Sequence, residues 1–523
     1  MLQIMWSLPL FLVPAAAFST LSYIEAAEHA PSLPVLERRA EQPCAEISQR
    51  WSALSPNQTN FYVPAKLAYD CALSIPVDVQ GDIQLIKELK AYLQWHSGLA
   101  WLKQGYNDEK PVDLMGELDS ISNQIQNGAY QSDYLVMVAI SAVIKRAHDF
   151  HLYFQSDFAG LFKTFISRAD ADLISISKDG VAFPEIYLAA DVRAARNSSQ
   201  VKISPIKTID GKNPVDYLSE RAENQSYHDS HARYNKMFPN PASASMGKGQ
   251  GGVGDSIYYD TYVGETTVFT FTNGSTKSFN ITALLAIEPD YTGIIDGKSF
   301  FEKLCHGPQD SEDETEETPS PTSSPIPSGT PQTTPTPSPV GYPKPAFIHS
   351  NLLVGGYYLS SSGYDDVAVL SVPTFAAEDL EQQLDFQNTV WDFLEDCRTK
   401  NKKRLVIDLR GNGGGTIDLG HDLFKQLFPT MEPYTGFRYR AHEAFSIISA
   451  TVADYLDNST IATKESDAHK SIMEGDTRFF YYGTYLDANN TEFESWEDYY
   501  GPDTINGDTF LSIQRYNVSS NSP

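Results

Sequence analysis

The sequence predicts an α+β protein of several domains: a helical first part, a β-rich middle, a linker and a terminal α/β unit. Three observations carry this. Apolar residues recur at helical spacing from Cys44 to about Phe154, fall into strand-like runs from about 155 to 304, and resume as strand, helix, strand beyond 346. One compositional break, Gln309–Pro345, is nearly all acidic, Ser, Thr and Pro, and reads as an extended, disordered linker that buries nothing. The length of 523 residues leaves room for roughly three domains and a substantial core.

In the first part, Asp82–Gln104 places Ile83, Ile86, Leu89 and Leu93 three or four residues apart, on one helical face. Gln131–Arg146 is a second, more uniformly apolar helical stretch, and it leads into a segment where His148 and His151 flank Asp149. In the middle, 182–192, 201–212 and 266–276 are strand-like, and Asn273-Gly274 is a strong hairpin turn. Beyond the linker, Asp365–Phe375 reads as a buried strand and Glu378–Lys400 as an amphipathic helix with Leu380, Leu384, Phe393, Leu394 and Cys397 apolar. Arg404–Leu409 is a second strand, followed by a Gly-rich turn and a helix over Asp418–Phe428. Strand, helix, strand, turn, helix predicts a mostly parallel sheet covered by helices.

Met1–Ala17 is an apolar run that closes on Ala15-Ala16-Ala17, the pattern of a secretory signal peptide cleaved after Ala17, although it lacks basic residues at its start. It is shorter than the ~20 residues of a membrane span and carries Pro9 and Pro14. Sequons begin at Asn57, Asn197, Asn224, Asn273, Asn280, Asn458, Asn489 and Asn517, as suits a glycoprotein of the secretory pathway. Cys44, Cys71, Cys305 and Cys397 allow two disulfides in three possible pairings, and none has CxxC spacing. The expected location is secreted or in the secretory lumen, with no membrane contact after signal cleavage. A net charge of −28 disfavours nucleic acid or an anionic membrane as partner. Part of that charge, Asp310, Glu312, Asp313, Glu314, Glu316 and Glu317, belongs to the linker.

The sharpest motif is Asp408-Leu409-Arg410-Gly411-Asn412-Gly413-Gly414-Gly415. A glycine run at the end of a strand lets the backbone turn tightly and present N–H groups to a crevice, where they can hold an anion or a developing oxyanion. A plain β-α turn would need only one or two glycines. The spacing is not GxGxxG, and Gly247–Gly254, which does match it, follows no strand and reads as a loop. His442-Glu443 lacks the second His of HExxH, and His228 with His231 is too small a set for zinc, so no metal or cofactor is expected.

With its strand before and helix after, this octapeptide resembles that of the tail-specific, or C-terminal-processing, serine peptidases (serine peptidase family 41). More specifically, the chain is similar to the fungal secreted branch related to the chlamydial protease-like activity factor (CPAF-like). The resemblance takes in the Asp-x-His element at Asp149–His151, Gly355–Leu359, Asp366–Phe375, Leu405–Gly415 and Leu423–Pro429. It implies a signal peptide at 1–17, a helical domain at 44–154, a PDZ-like domain at 155–304, a linker at 309–345 and a peptidase domain of ClpP/crotonase-like α/β type at 346–523. By resemblance, Gly414, with Gly413 or Gly415 beside it, lends an N–H to the oxyanion hole, and His151 is the general base. His148 is expected to be a satisfied core histidine. Ile206–Leu218 resembles a PDZ strand-turn, which would bind a peptide by strand addition; it reads equally as an ordinary hairpin turning at Asp210-Gly211.

The expected partner is a peptide or unfolded protein. Fungal relatives of this type occur in clusters that make ribosomal peptide toxins, which implies a precursor peptide as substrate. The family also needs a Ser nucleophile after the Gly turn, and no family-type Ser motif follows Gly415. GxSxG is absent, and Ser199…Lys202 and Ser245…Lys248 match Ser-x-x-Lys by spacing alone. The expectation is therefore a peptidase domain incomplete at its C-terminal end, with the Ser beyond residue 523. The alternative is a catalytically inactive relative that binds peptides.

Overall fold

The computed structural model describes residues 42–55, 57–106, 109–162, 164–167, 169–247, 254–305, 342–458, 471–473 and 476–516. The signal-peptide reading at 1–17, the linker at 309–341, most of the Gly247–Gly254 loop and the sequon at Asn517 lie outside them. The chain divides into two units. Of the described residues, one combines Asp78–Ala129 with those from Thr416 onward; the other combines 42–77 with Tyr130–Gly415.

Among its described residues the larger unit has twelve strands: β1 (Phe61–Pro64), β2 (Thr164–Ser167), β3 (Leu173–Ile176), β4 (Glu185–Leu188), β5 (Ile206–Ile209), β6 (Tyr258–Tyr259), β7 (Thr266–Phe271), β8 (Thr276–Leu285), β9 (Phe347–Ile348), β10 (Gly355–Tyr358), β11 (Val367–Ser371) and β12 (Arg404–Asp408). Alternation builds the first sheet. β7 buries Thr267, Phe269 and Phe271, while β8 buries Phe279, Ile281, Ala283 and Leu285. The Asn273-Gly274 hairpin joins them, with Gly274 at φ 87°. The sheet order is β5-β7-β8-β2-β6, antiparallel throughout. β8 is long enough to serve two sets of partners. Its first half pairs with β7; its second half lies between β2 and β1, with Thr164 opposite Leu284 and Phe61 opposite Leu285. Strand β1 thus interrupts the stretch expected to be helical. Beneath the sheet Leu218 of helix Pro214–Ala222, Met237 and Ile257 join Phe269 and Phe271 in one buried cluster.

Of the three cysteine pairings left open, the structure makes Cys44–Cys71, which ties helix Pro43–Ser52 to helix Ala65–Leu73. Cys305 and Cys397 are free thiols; Cys397 is buried in helix Leu380–Thr399 beside Tyr358.

The second sheet has the order β12-β11-β10-β9. β11 and β12 are parallel, Val367 opposite Arg404 through Ser371 opposite Asp408, with helix Leu380–Thr399 as their crossover. The other two pairings are antiparallel, so the sheet is mixed, not mostly parallel. The short link from Tyr358 to Val367 explains this: it suits a hairpin, whereas a parallel return needs a dozen or so residues. Gly356 is glycine because a Cβ there would stand 2.3 Å from the Phe393 ring. The helix buries Phe386, Val390, Phe393 and Cys397. Leu380 and Leu384, expected on its apolar face, are exposed: at 100° per residue they fall roughly 120° and 160° around from Phe386.

In the smaller unit the run Asp82–Gln104 is two helices, Val79–Leu93 and Leu99–Gln104. The break falls where the Gly98 N–H donates to His96 Nδ1 at 3.1 Å and Trp95 leaves to pack on His442 and Phe480. An aromatic core of Phe445, Tyr485 and Tyr499 follows. Among the described residues no helix is long and apolar enough to cross a membrane.

Candidate active site

β12 ends at Asp408, and the turn is built outward from its carboxylate. Arg410 donates Nε–H and a terminal N–H to the two oxygens, each at 2.9 Å, and the Tyr342 hydroxyl donates at 3.1 Å. Burial pushes the Asp408 carboxyl up, but the Arg410 guanidinium outweighs it and holds the group below the usual carboxylate range. The Asp408 carbonyl accepts the Val372 N–H at 3.0 Å, so the β11–β12 ladder runs one step past the strand. Across the turn Asn240 Nδ2–H donates to the Arg410 carbonyl at 2.8 Å.

Asn412 fixes the glycines. Its Nδ2–H donates to the Val372 carbonyl at 2.6 Å, and its Oδ1 accepts the Gly414 N–H at 2.7 Å. The Gly414 carbonyl in turn accepts the Phe375 N–H at 2.8 Å. Gly414 takes φ 82° and Gly415 φ 140°, values that a side chain opposes. The Gly414 N–H, expected to face an oxyanion, is therefore held by its own neighbour. Among the described residues no hydrogen bond takes the N–H of Gly413 or Gly415, and both glycines are exposed.

His151 lies beyond the C-terminus of helix Asp133–Lys145. His148, two residues before Phe150, is buried with φ 49°, and its Nδ1 lies 3.1 Å from the Gln225 carbonyl oxygen, as expected of a core histidine. His151 is exposed. Its backbone N–H donates to Asp149 Oδ1 at 2.9 Å, and its ring Nδ1 lies 3.2 Å from the same oxygen. That hydrogen bond raises the imidazole above its ordinary range, against a smaller lowering by burial. Phe150 packs edge-on to the His151 ring and against Tyr227.

The described contacts do not join His151 to Gly413–Gly415. A cavity of about 460 Å³ lies beside Ser350, Asn351, Asp379 and Gln382, and neither group lines it. Ser245 is taken up structurally, donating to the Ala242 carbonyl and lying 2.7 Å from the Tyr357 hydroxyl; Lys248, the other half of that match, is outside the described residues. Sequence reading gave Asp149, Asn240 and Asn412 no role of their own, although Asp149 stood in the Asp-x-His element and Asn412 inside the octapeptide.

Residues 366–470 match the model described as peptidase family S41, and residues 166–290 match that of the CPAF-like PDZ domain. Residues 366–470 are thus similar to a peptidase family S41 domain. Peptidase S41 family protein phomP1′ of Diaporthe leptostromiformis is 29 % identical over 398 residues, which is 75 % of this chain and 56 % of that protein. Peptidase S41 family protein ustP of Aspergillus flavus is 29 % identical over 292 residues, 55 % of this chain and 57 % of its own. The matched stretch thus spans a little over half the length of these relatives. Within it, the Asp408–Gly415 turn lies in the stretch that matches family S41, and the middle sheet is PDZ-like.

Proposed function

We propose that this protein is a secreted serine endopeptidase of the tail-specific type, which hydrolyses peptide bonds through an acyl-enzyme. The observation that supports it best is the Asp408–Gly415 turn at the end of β12 inside the S41 match. In this reading His151 takes the hydroxyl proton of a serine as its oxygen attacks the substrate carbonyl, and later returns that proton to the leaving amine. N–H groups of Gly413–Gly415 stabilise the oxyanion. No serine of this chain is assigned as nucleophile. Extended peptide is the substrate, and a precursor peptide of the kind processed in fungal ribosomal-peptide toxin pathways fits the resemblance. The sequons and the Cys44–Cys71 disulfide support passage through an oxidising secretory lumen.

A second reading, a peptide-binding relative without catalysis, is favoured by one observation: the Gly414 N–H is occupied by Asn412. The natural gene product, incubated with an unfolded protein and a fluorophosphonate probe, separates the two. Covalent labelling of a serine with turnover sinks the binding-only reading; absence of both sinks the peptidase. His151→Ala should abolish turnover without altering the circular dichroism spectrum, and retained turnover rejects His151 as base.

A further inference from the structure

We propose that Asp149 is the positioning residue of His151, a locally encoded acid that sets the tautomer of the imidazole and aims its Nε2 outward. The proposal rests on the reading of His151 as base. One carboxylate oxygen receives two groups of the same residue, the backbone N–H at 2.9 Å and the ring Nδ1 at 3.2 Å. The backbone bond anchors the carboxylate whatever the ring does, so the acid stands in place before the imidazole turns to it. A nitrogen that faces a carboxylate carries the proton, which leaves Nε2 with its lone pair, the form a general base needs.

The exposures agree with that division of labour. The Asp149 side chain is 19 % exposed and that of His151 is 92 % exposed, so the acid is sheltered and the base is presented. The flanks are fixed on both sides. His148 is buried on the Gln225 carbonyl in a left-handed backbone conformation, and Phe150 packs against Tyr227. The competing account is a turn that happens to end in a surface histidine, where an exposed ion pair counts for little.

Asp149→Asn separates the two, because the amide oxygen still accepts the His151 backbone N–H while the charge is gone. Ring ¹⁵N NMR of His151 is read in the natural gene product. The expected result is a protonated Nδ1 in the native protein, and in Asp149→Asn a lower titration midpoint with Nε2 taking up part of the proton. kcat should fall roughly tenfold, the effect of losing one charged hydrogen bond, with KM changed by less than about twofold. The acid limb of the kcat profile should move to lower pH, and Asp149→Glu should restore part of the rate. An unchanged His151 midpoint and tautomer in Asp149→Asn overturns the proposal, as does an unchanged kcat. The NMR arm needs no turnover, so it judges the pair even if His151→Ala shows that the base lies elsewhere.

Discussion

Gly415→Ala should loosen the turn more than any other single methyl added to it. A Cβ at Gly415 would stand 2.1 Å from the Phe375 carbonyl carbon, 2.2 Å from the Ala376 nitrogen and 2.4 Å from the Phe375 oxygen. All three are backbone atoms, and the Phe375 N–H is bonded to the Gly414 carbonyl, so relief requires that bridge to open. The φ of 140° adds a conformational cost of about 1–3 kcal/mol, and overpacking adds about 1–3 kcal/mol more. Gly414→Ala, at φ 82° with open space around it, should cost only about 1–2 kcal/mol. Gly413→Ala meets neither obstacle and should stay within about 0.5 kcal/mol. Hydrogen exchange at the Phe375 amide reads the series: acceleration of at least about thirtyfold for Gly415→Ala, roughly tenfold for Gly414→Ala, and little change for Gly413→Ala. If Gly415→Ala exchanges like Gly413→Ala, the contact with Phe375 does not shape the turn in solution.

The same reasoning reaches beyond the turn. Gly356→Ala would drive a methyl into the Phe393 ring, a destabilisation of about 1–3 kcal/mol that urea unfolding should register, and an unchanged midpoint would show that the helix Leu380–Thr399 shifts freely. Burial pushes the Asp172 carboxyl up to about 6, and its Oδ1 has no partner among the described residues. The native state therefore holds this proton more tightly than the unfolded chain, whose carboxyl titrates near ~4, so stability falls as pH rises from about 4 to about 6 and levels off above that. Asp172→Asn removes this slope, and its advantage over the native protein should grow across that window to at most about 3 kcal/mol. A difference that stays constant with pH in urea titrations rejects this account.

Local pattern carried the sequence reading wherever one element decides its own form. The hairpin at Asn273-Gly274, the strand Arg404–Asp408 and the helix at Leu380–Thr399 were legible because turn residues and periodicity act within a few residues. The burial of Leu380 and Leu384 was misjudged because apolar character does not reveal which face meets the sheet. The break at Gln94–Gly98 was hidden for a related reason: it follows from where Trp95 finds its aromatic partners. At the candidate site the glycines announced a turn, but not that Asn412 would occupy the Gly414 N–H, since an Asn side chain can bond locally in several ways. The Asp149–His151 pair was within reach, being spelled out by residues two positions apart.

Strand β1 carries a consequence for how this chain is made and cut. It completes the β-rich sheet with residues 61–64, which leave the ribosome long before their partners at 282–285 are synthesised. The sheet must therefore wait, and the loop between the two strands must be closed against its entropy. A fragment limited to residues 166–290 would lack β1 and begin midway through β2, leaving the backbone of Ala283 and Leu284 without a partner on either side. Bare edges invite pairing between molecules. Any piece that keeps this sheet whole must include Phe61–Pro64, so the matched PDZ-like stretch is not a separable module but the middle of a sheet that strand β1 helps to close.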